Sequence, residues 1–115
     1  MIFGCSGYTL TSAERIFFKE NNPLGFILFK RNIQDKMQLK FLIKELKSTL
    51  QQTNPLILID QEGGRVVRLT SPHWFHPPAS MQLVKGSLED SKKQVYETYA
   101  RIAKDLKEMG ITANC

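Results

Sequence analysis

Residues 54–69 read NPLILIDQEGGRVVRL. Asn54-Pro55 ends whatever precedes it, because proline removes a backbone donor and biases the residue before it away from helix. Leu56-Ile57-Leu58-Ile59 then runs apolar without alternation up to Asp60. Continuous apolarity is what a strand covered on both faces of a parallel sheet requires. Its carboxyl end carries a dense polar cluster of Asp60, Gln61, Glu62, Gly63, Gly64, Arg65 and Arg68. In parallel α/β proteins, ligands sit at the carboxyl ends of buried strands.

The pattern recurs along the chain. Gly25-Phe26-Ile27-Leu28-Phe29 is a second apolar run, and it ends in Lys30-Arg31-Asn32; Met1 to Tyr8 reads as the tail of a first strand. Between these strands lie helices. Thr11 and Glu14 form a capping box for a helix running to about Glu20, and Asn21-Asn22-Pro23 stops it. Asp35 can cap a second helix with Gln38 at the reciprocal position, and Leu39, Ile43, Leu46 and Leu50 make its apolar stripe. Lys40, Lys44 and Lys47 read as its solvated face. A proline-bearing loop from about Thr70 to Gly86 precedes the longest helix, Ser87 to Met109, whose Val95, Tyr99, Ile102, Leu106 and Met109 predict a buried face. Gly110 breaks it and Ile111 to Cys115 begins another strand. Strand and helix alternate throughout, which implies parallel strands joined by right-handed crossovers. An open doubly wound sheet and part of a (β/α)₈ barrel both satisfy this order. A closed barrel takes about 250 residues, so the 115 residues of this chain supply only part of one.

Composition narrows the function classes. At 42% apolar and 23% charged, the chain reads as one globular unit over residues 1–115. The net charge of +5 is spread along the sequence with no aromatic-basic interleaving, so no nucleic-acid partner is expected. Cys5 and Cys115 stand at opposite ends without metal-like pairing to His73 or His76, so two free thiols, no metal and no cofactor are expected. No basic leader opens the sequence and no apolar run approaches the roughly 18 residues of a membrane span, so a cytoplasmic protein without membrane association is expected.

The polar cluster itself admits two readings. Two carboxylates and two guanidiniums at a strand end can hold a polyhydroxylated ligand, the carboxylates accepting from hydroxyls and arginine donating in a fixed fork. They can equally form a structural turn, with Asp60 and an arginine paired beneath a loop. The Gly63-Gly64 pair permits a turn with positive φ. It is not a phosphate loop, since neither the Walker spacing nor GxGxxG is present.

The segment ILIDQEGGRVVRL, with GFILFKRN before it and FHPPAS after it, resembles the N-terminal part of the bacterial β-N-acetylhexosaminidases of glycoside hydrolase family 3. In that family a strand ending ILF leads into an RN pair, and the next strand ends in DQEGGR with another arginine three residues on. The closing Gly110 to Asn114 is similar to the family's segment leading into its next strand. The resemblance implies a partial (β/α)₈ TIM barrel, of roughly three to four β/α units. It also implies removal of terminal N-acetylglucosamine from peptidoglycan fragments in the cytoplasm, with retention of configuration. Asp60 and Arg68 match family residues that hold sugar hydroxyls. Glu62 and Arg65 match positions expected to support the loop; Arg31 and Asn32 either cap the strand end or lie near the ligand.

The departures from the family pattern bear on activity. A retaining glycosidase needs a nucleophile and an acid/base group. In the family these are an aspartate on a later strand and a histidine in a loop beginning KHFPGHG, and neither segment occurs here. His73 and His76 lie outside any match to that histidine and read as surface or packing residues. No catalytic residue is therefore expected in this chain, which on its own should be inactive. The partners implied are an N-acetylglucosamine-containing glycan or muropeptide and a C-terminal complementing chain. The alternative is a non-catalytic partial barrel serving as a carbohydrate-binding or assembly module.

Overall fold

A computed structural model describes residues 1–115. Four parallel strands form one sheet in the order β1 (Ile2–Phe3), β2 (Gly25–Leu28), β3 (Leu56–Ile59) and β4 (Ala113–Asn114). Three helices make the crossovers, α1 (Ser12–Asn21), α2 (Lys36–Ser48) and α3 (Leu88–Met109). Each crossover advances to the adjacent position in the sheet. The order therefore lacks the reversal that defines a doubly wound sheet.

Local chemistry sets the helix ends. Thr11 Oγ1 accepts from Glu14 N at 3.2 Å while Glu14 Oε2 accepts from Thr11 N at 2.9 Å, which completes the capping box. Glu14 Oε1 also accepts from Ser6 N at 2.7 Å and so ties the β1–α1 loop to the helix. Burial pushes the Glu14 carboxyl up, but the hydrogen bonds from Thr11 and Ser6 outweigh it and hold the group below the ordinary glutamate range. Asp35 caps α2 through Gln38 N at 2.8 Å. The Gln38 side chain does not return the bond to Asp35; its Oε1 accepts from Gln34 N, and its amide donates to Tyr8 O and Asn32 O. Two carbonyls within reach of one amide draw the side chain away from the reciprocal position. Ser87 caps α3 through Asp90 N, and Gly110 closes it.

Parallel register places Phe26 beside Ile57 and Leu28 beside Ile59, all fully buried. They meet Phe18 of α1, Leu39, Leu42, Ile43 and Leu46 of α2, and Ile102, Leu106 and Met109 of α3 in one core. Each such side chain contributes roughly 1.5–3 kcal/mol through burial. The apolar run of β3 implied cover on both faces, and only one is fully covered. Leu56 is 37% exposed and Leu58 half-buried, since the helices pack against the alternate residues Ile57 and Ile59.

α3 departs from its expected face in the same way. Ile102, Leu106 and Met109 are buried, whereas Val95 and Tyr99 are 36% and 39% exposed. The reason is length. Twenty-two residues make a rod of about 33 Å, while the four residues of β3 span about 13 Å. The amino-terminal turns run past what the short strands can cover, and there the Tyr99 hydroxyl pairs with Ser80 Oγ at 3.2 Å. No helix is long and apolar enough to cross a membrane.

Candidate functional site

β3 delivers Asp60 to the carboxyl edge of the sheet, and the chain then turns back on itself. Val66 O accepts from Glu62 N and Gly63 N, and Val66 N returns a bond to Gly63 O. Gly63 and Gly64 adopt φ of +106° and +61°, a region that side chains resist. Space matters as much as torsion here. A Cβ on Gly63 would lie 2.2 Å from Pro78 O, and one on Gly64 would lie 2.8 Å from Ala79 Cβ. Gly64 N donates to Pro77 O at 3.0 Å, so the FHPPAS stretch is the wall against which the turn is pressed. That stretch is itself anchored to α3, where Phe75 N donates to Asp105 Oδ2 and Arg101 stacks 4.2 Å over the Phe75 ring.

The turn brings Arg68 back to Asp60, with Nη2 to Oδ2 at 3.2 Å. Both side chains are about one-quarter exposed, at 23% and 27% respectively. Arg68 Nε is buried without a protein acceptor. A half-sheltered carboxylate and a guanidinium with unused donors are thus fixed side by side at a strand end. Such a pair can accept from one hydroxyl and donate to another.

Glu62 and Arg65, the residues expected to give the loop its support, are exposed, and their side chains make no hydrogen bond or ion pair within this chain. Gln61, to which the sequence reading gave no role, provides it. Gln61 is 2% exposed; its Oε1 accepts from Arg68 N at 2.8 Å and Leu69 N at 3.0 Å, and its Nε2 donates to Leu69 O at 2.8 Å. Its backbone exchanges two bonds with the Asn114 side chain at the end of β4, at 2.8 and 3.0 Å. Strand parity carries the signal that would have found it. Two residues beyond Ile59, Gln61 shares the buried side of Ile57 and Ile59, while Asp60 shares the open side of Leu56 and Leu58.

Arg31 and Asn32 form a separate strap one strand away. Asn32 is fully buried; its Oδ1 accepts from Phe29 N at 2.9 Å and its Nδ2 donates to Cys5 O and Gly7 O at 3.1 and 3.0 Å. Arg31 Nε donates to the same Cys5 carbonyl, and its guanidinium lies 4.5 Å over the Phe29 ring. Burial, with a smaller push from Glu14, raises the Cys5 thiol to about 11. Cys5 and Cys115 are both free thiols. His73 and His76 are exposed. No group of His, Cys, Asp or Glu side chains is arranged to hold a metal ion. The two surface hollows lie elsewhere: about 350 Å³ between the end of α3 and β4, and about 500 Å³ lined by Asp35 to Gln38 and His73. Asp60 and Arg68 line neither.

The chain is 40% identical over 88 residues to a β-hexosaminidase of Photobacterium profundum, a match covering 76% of this chain and 26% of that protein. Its fold superposes on NagZ of Neisseria gonorrhoeae, solved with a zinc ion, with a TM-score of 0.88 at 28% identity over 96% of this chain and 34% of the other. The same protein solved with N-trifluoroacetyl-D-glucosamine gives a TM-score of 0.85 at 28% identity, covering 96% and 33%. A glycoside hydrolase family 3 β-N-acetylglucosaminidase of a Paenibacillus species gives 0.85 at 30% identity, over 98% of this chain and 21% of the other. The chain belongs to the family 3 β-N-acetylhexosaminidases. No protein-family model matches it. It spans about a fifth to a third of these relatives' length. Within this family member, Asp60 opens the DQEGGR stretch that carries the sequence resemblance, and Arg68 lies three residues beyond its last arginine.

Proposed function

We propose that this chain is the N-terminal part of a family 3 β-N-acetylhexosaminidase, one incomplete unit over residues 1–115, and that it supplies the residues holding the terminal sugar. The observation that carries the reading is the Asp60–Arg68 pair, fixed at 3.2 Å on the end of β3 and still partly open to solvent. Asp60 accepts from hydroxyls of N-acetylglucosamine and Arg68 donates to a neighbouring oxygen. A solved relative in complex with an N-acylated glucosamine supports this substrate class. The consecutive parallel order of the four strands supports a partial (β/α)₈ barrel, whose later strands complete the sheet beyond β4.

The activity of the complete enzyme is retaining hydrolysis of terminal β-N-acetylglucosamine from peptidoglycan fragments, in cytoplasmic cell-wall recycling. It requires a nucleophile and an acid/base group close together. Asp60 is committed to Arg68, and His73 and His76 stand exposed without a carboxylate or amide partner to orient them. Both catalytic groups therefore come from a complementing C-terminal segment, and the isolated chain is inactive. Neither a membrane nor a nucleic acid is a partner.

The test is hydrolysis of an aryl β-N-acetylglucosaminide by the chain alone and after mixing with a polypeptide spanning the remaining two-thirds of a relative. No turnover is expected alone, and turnover is expected on mixing. Asp60→Ala and Arg68→Ala should each lower the restored kcat/KM on the order of tenfold to a hundredfold, the worth of a hydrogen bond to a charged group. Turnover by the chain alone would overturn its assigned incompleteness. Restored turnover indifferent to both substitutions would overturn the sugar-holding role.

A further inference from the structure

Gln61 does not face the sugar, yet it is the most connected side chain of the loop. Resting on the subsite reading above, we propose that Gln61 is the positioning residue of this site, holding Arg68 against Asp60 and, through Asn114, locking that geometry to the end of β4. Its carboxamide does what no other side chain of its size can do. One oxygen takes two adjacent backbone N–H groups, those of Arg68 and Leu69, while the nitrogen gives to the Leu69 carbonyl. An ionised glutamate would present a second oxygen to that carbonyl with no proton to give, and methionine would satisfy none of the three. Because the site is 2% exposed, water does not replace the lost partners.

The consequence for Arg68 is geometric. With its backbone N pinned, its guanidinium reaches Asp60 from one side and its Nε stays buried. Leu69, fully buried in the core, fixes the far end of the same two-residue clamp. On the other side, Asn114 accepts from Gln61 N and donates to Gln61 O, so the two strand ends move together. Asn114 is exposed and stands outside the core. Its removal therefore loosens the clamp without emptying the interior.

The test uses the whole chain with ¹⁵N-labelled arginine side chains and two variants, Gln61→Met and Asn114→Ala. The Arg68 Nε–H resonance reports its placement, and a titration with N-acetylglucosamine reports the sugar site. Gln61→Met should speed Arg68 Nε–H exchange with water at least on the order of tenfold and weaken the sugar titration by a similar factor, with Asn114→Ala shifting both in the same direction. Amide protection across β2 and β3 should stay at its native level. Native-like Arg68 exchange in both variants overturns the proposal, and if Gln61→Met does not fold, Asn114→Ala decides it alone. If the unsubstituted chain binds no sugar, the subsite reading fails, while Arg68 exchange still decides what Gln61 does.

Discussion

Asn32→Ala should be among the most costly single changes in this chain. Its side chain serves three buried or half-buried backbone groups, Phe29 N–H, Cys5 C=O and Gly7 C=O, at 2.9 to 3.1 Å. Cys5 C=O keeps a second donor in Arg31 Nε, so it is not orphaned. Phe29 N–H and Gly7 C=O lose their side-chain partner, at about 1–3 kcal/mol each. Gly7 is half-buried and water can reach part of it, which puts the expected loss at about 3 kcal/mol, a large share of the 5–15 kcal/mol that holds a typical domain. Urea unfolding followed through Trp74, the only tryptophan and 6% exposed, reads the change directly. Asn32→Asp is the companion variant. It keeps the acceptor for Phe29 but turns an unprotonated oxygen toward two carbonyls, so it should be as unstable at neutral pH and recover as the carboxyl protonates. A loss under about 1 kcal/mol for Asn32→Ala at unchanged m value would refute the reasoning, because it would mean that water replaces these bonds freely.

Gly63→Ala forces a Cβ to 2.2 Å from Pro78 O at a φ of +106°. Strain of this kind costs about 1–3 kcal/mol before the clash is counted, and a lowered urea midpoint with faster amide exchange of Gly64 should show it. For Cys5, the thiol that burial raises to about 11 keeps its proton in the folded chain while the unfolded chain loses it near 9.0. Stability should therefore fall as pH rises from 9 towards 11, and at neutral pH a thiol reagent should label Cys115 rapidly and Cys5 only on unfolding. Glu14 has the opposite sign. Its folded value lies below 4.5, so its contribution is complete above that pH and is lost as pH falls through the folded value. Thr11→Ala should cost about 1 kcal/mol at pH 7 and flatten this acid limb in urea titrations between pH 5 and pH 3.

Much of the architecture was legible because it is locally encoded. Thr11 and Asp35 announce two helices by a side chain that satisfies orphan amides, and both do so, while Ser87, legible only as the start of the third, caps it in the same way. The runs at Gly25 and Leu56 announce buried strands by apolarity alone, and both strands pair in one sheet. What sequence could not supply was how far neighbours reach. Val95 and Tyr99 carry the helical spacing of a buried face but stand beyond the short strands that would cover them. Leu56 and Leu58 have the composition of a two-sided strand, and their side is only partly covered by this chain. At the candidate site, Asp60 and Arg68 stood out as charges at a strand end. Gln61 did not, since its three side-chain bonds go to backbone groups seven and eight residues away, which no spacing rule records.

The most direct measurement is a titration of the ¹⁵N-labelled chain with N-acetylglucosamine, comparing the native sequence with Asp60→Asn. Saturable shifts centred on the amides of Asp60 to Leu69, with the binding curve lost or moved at least tenfold by the substitution, are the predicted result. Shifts that never saturate, or a curve that Asp60→Asn leaves in place, would contradict a sugar-holding role for the Asp60–Arg68 pair.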